Sequence, residues 1–380
     1  MKKIIFLIET LGCGGAEKVL LDIVKNIDKE KFDVTVQTIV DNGIYDKEIK
    51  KYCSYDSYLK IHDLNKGIFK KLIYKIKYKL VYKLPPKIVY KLLIKKKYDI
   101  EVAFVEGYVT KIIGSSKLNS INKIAWIHVD PIQRDYADLY YRNLEQQKLY
   151  YNNFNKIICV SNSVKESFEQ KFGNNNKVLV QYNPIDKEDI LSKQNENVSS
   201  INNDKVLKLI TVGRLVEQKG YDRLLKVCNR LIKEDNIDFK LYILGEGPLK
   251  DNLQTYILEN NLSENIYLCG FKKNPYKYIN RCDLFVCSSR AEGFSLVIAE
   301  SICIGTPVIT TNCSGPNELL ENGKYGMLVE NNDESLYLGI KEILKNPKLL
   351  DVYRKSMDKI KDRFDINTII KEIEVKFSEF

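Results

Sequence analysis

Two consecutive α/β domains, each a doubly wound parallel sheet with helices on both faces, are what this sequence predicts. Short β-rich apolar runs alternate with amphipathic stretches along most of the chain, as parallel strands joined by crossover helices require. A polar stretch, "SKQNENVSSINNDK" at 192–205, interrupts the alternation, which then starts again. With 380 residues the chain is long for one core and comfortable for two domains of ordinary size.

The first run, residues 3–8, has a buried-strand pattern, and "TLGCGGAEK" (10–18) behind it turns the chain into a helix beginning near Ala16. Val19, Leu20, Ile23, Val24 and Ile27 recur at three- and four-residue spacing with charges between them, so one helical face is apolar. An export signal ending at a lipid-modified Cys13 is the competing explanation. Against it, Glu9 cuts the apolar run short and Thr10 stands where an aliphatic residue belongs. Further strands are expected at 32–40, 99–106, 123–129 and 156–161, then at 206–213, 239–245, 265–270, 283–289 and 306–311. The expected organisation is a first domain over 1–187, a polar linker over 188–205, a second domain over 206–362 and a terminal helix over 363–380. Ile366, Ile369, Ile370 and Ile373 share one side of that helix, which either crosses back to the first domain or caps the second. Two such domains are expected to leave a cleft at the carboxyl ends of their strands, where open α/β folds bind ligands.

Net charge is +10, and its excess is local: residues 66–97, "KGIFKKLIYKIKYKLVYKLPPKIVYKLLIKKK", hold twelve lysines and no acid. Ile68, Leu72, Ile76 and Leu80 follow helical spacing, Pro85 and Pro86 break it, and Ile88, Val89, Leu92 and Leu93 begin a second amphipathic helix. Lysines beside aromatic and aliphatic side chains suit an anionic membrane surface; a pair of ordinary surface helices with a solvated lysine face is the alternative. No recognition-helix or aromatic-platform pattern points to nucleic acid. Nine scattered cysteines without a CxxC pair fit reduced thiols in the cytoplasm. With His62 and His128 the only histidines, a structural zinc site of the usual spacing is not expected. No apolar stretch reaches the roughly 18 to 20 residues that span a bilayer.

The glycine turn offers Gly12, Gly14 and Gly15 but has Glu17 where a dinucleotide fingerprint needs its last glycine, which disfavours a nicotinamide enzyme. The turn either presents backbone N–H groups to an anion or is glycine-rich for steric reasons alone. In "VGRLVEQKG", Arg214 follows the strand-end Gly213 and Lys219 stands five residues on; the two cations fit a diphosphate or are surface charges. In "SRAEGFSLVIAE", Glu292 and Glu300 are eight residues apart, with a helix expected to start near Phe294. That spacing puts both carboxylates toward one face, with the N–H groups near Phe294, Ser295 and Leu296 between them. Two carboxylates flanking an anion site can accept hydrogen bonds from two sugars, which describes a nucleotide sugar.

"GGAEK", "GRLVEQKG", "LGEGP" (244–248), and above all "EGFSLVIAE" followed by "GTPVI", resemble the retaining glycosyltransferases of family 4, which have the GT-B fold of two Rossmann-like domains facing a cleft. The resemblance implies that Glu300 binds the ribose hydroxyls and Glu292 the donor sugar, with Gly293 and the helix start beside it. It implies that Arg214 and Lys219 hold the diphosphate and that the backbone at Gly14 and Gly15 closes on it. It also implies that the backbone around Gly270 and Phe271 lies near the base, and that His128 in "WIHVD" matches the family's histidine beside the sugar. A lone histidine at a strand end is otherwise a satisfied structural residue. Cys13 within the turn and the lysine-rich segment depart from the family pattern. No D-x-D motif is present, so metal-independent transfer is expected, from a UDP-sugar to a saccharide acceptor, lipid-linked given the lysine-rich segment. The expected setting is bacterial surface-polysaccharide assembly at the inner face of the cell membrane, without a cofactor. The rival readings are a nucleotide-sugar epimerase, a phosphorylase and a non-catalytic partner of another transferase.

Overall fold

The computed structural model describes residues 1–61, 64, 67–117, 121–198, 201 and 205–380. His62, Lys66 and residues 199, 200 and 202–204 of the polar stretch lie outside the described residues. The chain divides into two compact units, Met1–Pro184 with Asn367–Phe380, and Ile185–Ile366.

The first unit is built on seven strands: β1 (Lys2–Ile8), β2 (Phe32–Val40), β3 (Ser54–Leu59), β4 (Ile100–Ala103), β5 (Asn122–Ile127), β6 (Lys156–Cys159) and β7 (Val178–Val180). Their order is β3-β2-β1-β4-β5-β6-β7, and every pair is parallel. The second unit has six strands: β8 (Lys208–Val212), β9 (Lys240–Leu244), β10 (Ile266–Gly270), β11 (Leu284–Cys287), β12 (Val308–Thr311) and β13 (Met327–Val329). Their order is β10-β9-β8-β11-β12-β13, again all parallel. In each sheet the strand order reverses once, between β1 and β4 and between β8 and β11. Loops leave the sheet in opposite directions at such a point and open a crevice at the carboxyl ends.

The central strands are buried on both faces and match the continuous apolar runs in the sequence; Ile4, Phe6 and Leu7 are fully buried. Three strands had no such signal: β3, β7 and β13, each at a sheet edge. "SYDSYL" alternates with polar residues, and the other two are three residues long, so half-solvated edges leave too little apolar pattern to read.

Helix Gly15–Asn26 buries Val19, Leu20, Ile23 and Val24. Helix Ile68–Lys83 buries Val81, while Ile68 is 89%, Phe69 76% and Leu72 53% exposed. Helix Pro86–Leu93 packs conventionally through Val89, Tyr90 and Leu93. The polar stretch is not wholly a linker. The boundary between the units falls at Pro184, and residues 187–193 form a helix, Lys187–Lys193, capped by Asp186 and buried at Ile190.

The terminal helix Ile366–Ser378 belongs to the first unit from Asn367 onward. Ile366, Ile369, Ile370, Ile373 and Phe377 are all buried. Phe377 meets Phe6 and Phe32 edge-on, with centroids 6.0 and 6.1 Å apart. Lys2 Nζ donates to the carbonyls of Ser378 and Phe380 at 2.7 and 2.6 Å, which satisfies acceptors at the helix end. Replacing Phe377 with Ala therefore opens a cavity against β1 and β2; a loss of about 3–5 kcal/mol is expected, read as a lower urea midpoint for the first unit.

Candidate active site

At the switch point of the second sheet, the loops after β8 and β11 are bound to each other. Lys219, on the short 3₁₀ turn Glu217–Lys219, donates from Nζ to Glu292 Oε1 at 2.5 Å. Ser289 Oγ donates to the same oxygen at 2.6 Å, and Glu292 is 6% exposed. Ser288 Oγ donates to the Lys219 carbonyl at 2.9 Å, and Gln218 Nε2 to the Ala291 carbonyl at 2.7 Å. From helix Tyr221–Lys233, buried Arg223 donates to the carbonyls of Ser288 and Ser289 at 2.8 and 2.6 Å. Gly220 lets the loops touch: its φ is +66° and a Cβ there would collide with the Ser288 carbonyl.

Arg214 is exposed just beyond β8, and among the described residues no carboxylate pairs with it. Glu292 lies in the strand-to-helix loop, as expected, and the helix runs Leu296–Ile304, two residues later than expected. The delay comes from a tight loop in which Gly315 N donates to the Glu292 carbonyl at 3.2 Å and Gly315 packs against Gly293 and Phe294. Ser295, the N-cap, makes no side-chain cap bond, and its Oγ is buried without a partner. The first N–H groups of the helix thus lack a side-chain cap, beside a positive dipole end. Glu300, 3% exposed, accepts from the Tyr276 hydroxyl at 3.4 Å. Gly270 ends β10 with φ +70°, and Phe271 beyond it is 45% exposed. Lys219, Glu292, Gly293, Ser295 and Leu296 therefore lie along connected loops, with Glu300 on the helix they lead into.

In the first unit, Gly14 is the N-cap of helix Gly15–Asn26, and the carboxylate of Glu17 folds back against it. The turn at Gly14 and Gly15 is covered in this conformation by an acid of its own helix, an arrangement like a capping box. His128 lies just past β5. Its backbone N–H donates to Glu106 Oε2 at 3.1 Å, its ring donates to the Phe104 carbonyl, and burial pulls its pKa down to about 3. The imidazole is thus neutral, and Nε2 is buried without a partner, leaving an acceptor for a hydroxyl.

Ser289, Arg223 and Glu106 are the supporting residues that motif reading missed. A serine pair at a strand end ahead of a glycine loop was the available signal for Ser289. Arg223 and Glu106 act through main-chain contacts between distant segments, which no local spacing announces.

The profile of "Glycosyl transferases group 1" matches residues 192–359, and that of "Glycosyltransferase Family 4" matches residues 13–189. The N-acetylgalactosamine-N,N'-diacetylbacillosaminyl-diphospho-undecaprenol 4-alpha-N-acetylgalactosaminyltransferase of Campylobacter jejuni is 32% identical, covering 95% of this chain and 97% of that one. An uncharacterised glycosyltransferase of Haemophilus influenzae is 27% identical over 98% of this chain and 99% of its own. Among solved structures, Anabaena HepE in complex with UDP and glucose superposes with a TM-score of 0.75 at 20% identity, covering all of both chains. The lipopolysaccharide outer core galactosyltransferase WaaB does so at 0.67 and 18%, again over both chains entirely.

The His128 environment makes a signed prediction. An imidazole whose ordinary value is 6.5 and whose folded value is about 3 binds its proton in the unfolded chain first, so stability is lost as pH falls through 6.5 toward 3. Between pH 7 and pH 5 the native protein should lose about 2 kcal/mol relative to His128→Gln, measured as the difference between their urea-unfolding free energies. Equal pH dependence of the two proteins contradicts a buried neutral imidazole.

Proposed function

Because the chain belongs to the family 4 glycosyltransferases, which have the GT-B fold, we propose that it transfers a sugar from a UDP-sugar to a lipid-linked saccharide, retaining anomeric configuration and using no metal ion. The observation that carries this reading is the linked Lys219–Glu292 pair beside an uncapped helix start at the switch point of the second sheet. That sheet region holds a cation, a carboxylate and a helix start without a side-chain cap in one place.

Cleaving a glycosyl phosphate builds negative charge on the departing diphosphate. Fixed positive groups lower that barrier because they need no reorganisation when the charge appears. Arg214 and Lys219 take the diphosphate, with the N–H groups near Phe294, Ser295 and Leu296. Glu292, held by Lys219 and Ser289, accepts from the donor-sugar hydroxyls; Glu300 accepts from the ribose, with Gly270 and Phe271 at the base. In the first unit, neutral His128 accepts from a sugar hydroxyl through Nε2, and the turn at Gly14 and Gly15 serves the phosphates once Glu17 swings aside. Retention follows the family resemblance: the acceptor attacks on the face the phosphate leaves, and the leaving phosphate takes its proton. Glu292 is then a hydrogen-bonding residue and not a nucleophile, unlike the carboxylate of a retaining hydrolase.

UDP is supported by its presence in the HepE complex, and a polyprenyl-diphosphate-linked acceptor by the name of the C. jejuni relative. The lysine-rich helix supports a membrane setting. No helix among the described residues is long and apolar enough to cross a membrane, yet Ile68–Lys83 leaves Ile68, Phe69, Leu72 and Ile76 exposed. Lys71, Lys75, Lys79 and Lys83 recur at every fourth position beside them. This face rests on an anionic membrane at the cytoplasmic side, where surface polysaccharides are assembled on lipid carriers.

A UDP-sugar should raise the thermal unfolding midpoint of the wild-type protein equally with and without EDTA. Loss of the shift in EDTA rejects metal independence, and no shift with any nucleotide sugar rejects the donor assignment. Arg214→Ala and Lys219→Ala should each lower kcat/KM for the donor by about 10²- to 10³-fold, measured by nucleotide release. Changing Lys71, Lys75, Lys79 and Lys83 to Ala should weaken binding to phosphatidylglycerol vesicles at least ~100-fold, at about 1 kcal/mol per lysine. Sedimentation with such vesicles, with neutral ones as control, measures it; unchanged sedimentation rejects the membrane face.

A further inference from the structure

We propose that Glu9 reads the acceptor sugar: its carboxylate accepts hydrogen bonds from acceptor hydroxyls beside a row of tyrosines formed by Tyr82, Tyr108 and Tyr140. The proposal rests on the reading of this chain as transferring to a saccharide, and it names a site in the first unit that the donor machinery does not use.

Position is the first argument. Glu9 directly follows β1, which pairs with β4 on one side and β2 on the other. The strand order of the first sheet reverses between β1 and β4, so Glu9 stands at the crevice where such a sheet binds ligands. Its main chain is fixed, because its carbonyl accepts from the backbone N–H groups of Ile39 and Val40 at 3.1 and 3.0 Å. The side chain is only partly buried, and no donor among the described residues pairs with it. Burial raises the Glu9 pKa with nothing to offset it. A carboxylate is an acceptor only, and one held half out of water without a donor costs stability until a ligand supplies one.

The surroundings are the second argument. Tyr82 and Tyr108 stack at 5.6 Å and 20°, and Tyr108 and Tyr140 at 5.6 Å and 27°. Burial, and after it the charge of Glu9, opposes the ionisation of all three. The row is rigid: the Tyr108 hydroxyl donates to the Val81 carbonyl, and Tyr140 lies on Gly107, where a Cβ would come within 3.0 Å of its ring. At its outer end Tyr82 meets Tyr78, with centroids 4.7 Å apart, on the exposed lysine-rich helix. The aromatic row thus runs from the proposed membrane face to the sheet edge that holds Glu9. Rigid aromatic edges with one unpaired carboxylate provide an apolar wall and a hydroxyl-specific anchor, the combination by which a site distinguishes one sugar from another.

The test uses the full-length protein with UDP present and a panel of methyl and octyl glycosides of glucose, galactose, N-acetylglucosamine and N-acetylgalactosamine, with binding followed by saturation-transfer NMR. Wild type should bind at least one glycoside. Glu9→Ala should weaken that binding about 10- to 100-fold, and Glu9→Gln, which keeps shape and one acceptor oxygen, should weaken it less. The UDP-induced thermal shift should be the same in all three proteins. Equal glycoside binding by wild type and Glu9→Ala overturns the proposal, as does a wild type that binds UDP and no glycoside. A Glu9→Ala protein whose UDP shift falls in parallel also overturns it, since Glu9 would then be supporting the fold or the donor. Absence of any nucleotide shift in the wild type instead rejects the glycosyltransfer reading itself, so the two failures are distinguishable.

Discussion

The ion pair between Lys219 and Glu292 is the contact around which the second unit's site is arranged. Both partners are largely withdrawn from water, and withdrawing two charges is favourable only when geometry is good and the remaining lone pairs are satisfied. Ser289 donates to the same carboxylate oxygen as Lys219, and Arg223 fixes the carbonyls on either side of the Ser288–Ser289 bond. Arg290 adds a two-pronged pair to Asp222, with both bonds at 2.8 Å, and its N–H donates to the Gln218 carbonyl at 2.7 Å. Two loops that would otherwise sample many conformations are held in one. A preorganised cation next to a preorganised carboxylate follows from that order, because neither charge has another place to go.

Sheet topology explains why the candidate site residues gather where they do. In each unit the central two strands send their following segments in opposite directions, so the residues just past them line a gap that packing cannot close. In the second sheet those positions carry Arg214, Lys219 and Glu292; in the first they carry Glu9, the glycine turn and Glu106. His128 follows the next strand along. Its neutral state comes from burial, with the Phe104 ring centroid 4.9 Å away, and burial outweighs the bond to the Phe104 carbonyl, which favours the charged form. Without that burial it would be an ordinary titrating histidine.

The architecture was largely legible because strands buried on both faces write continuous apolar runs. Strand 32–40 was read to the residue, while the edge strands β3, β7 and β13 left no run to find. The motif residues Arg214, Lys219, Glu292 and Glu300 could be named from spacing, but their pairing could not. Lys219 and Glu292 stand 73 positions apart in the sequence, and spacing assigned the lysine to phosphate and the glutamate to sugar without showing that they bond to each other. Likewise, spacing put Glu292 in the loop and Glu300 on a helix starting near Phe294. The contact of Gly315 with Gly293, visible only in three dimensions, goes with a helix start two residues later, at Leu296.

Two helices show where pattern reading stops. Ile366, Ile369, Ile370 and Ile373 repeat at helical spacing, and so do Ile68, Leu72, Ile76 and Leu80. The first set is buried, whereas Ile68, Leu72 and Ile76 of the second lie open. Periodicity defines a helix with an apolar face and says nothing about what covers it. The difference lies in the charges. Lysines flank the second set on both sides, and a sheet core offers them neither partners nor water, whereas a layer of anionic headgroups offers both. Burying one such aliphatic side chain contributes roughly 1.5–3 kcal/mol, which the folded chain leaves unused at these positions. Folding does not account for them, and the proposed membrane contact rests on that exposure.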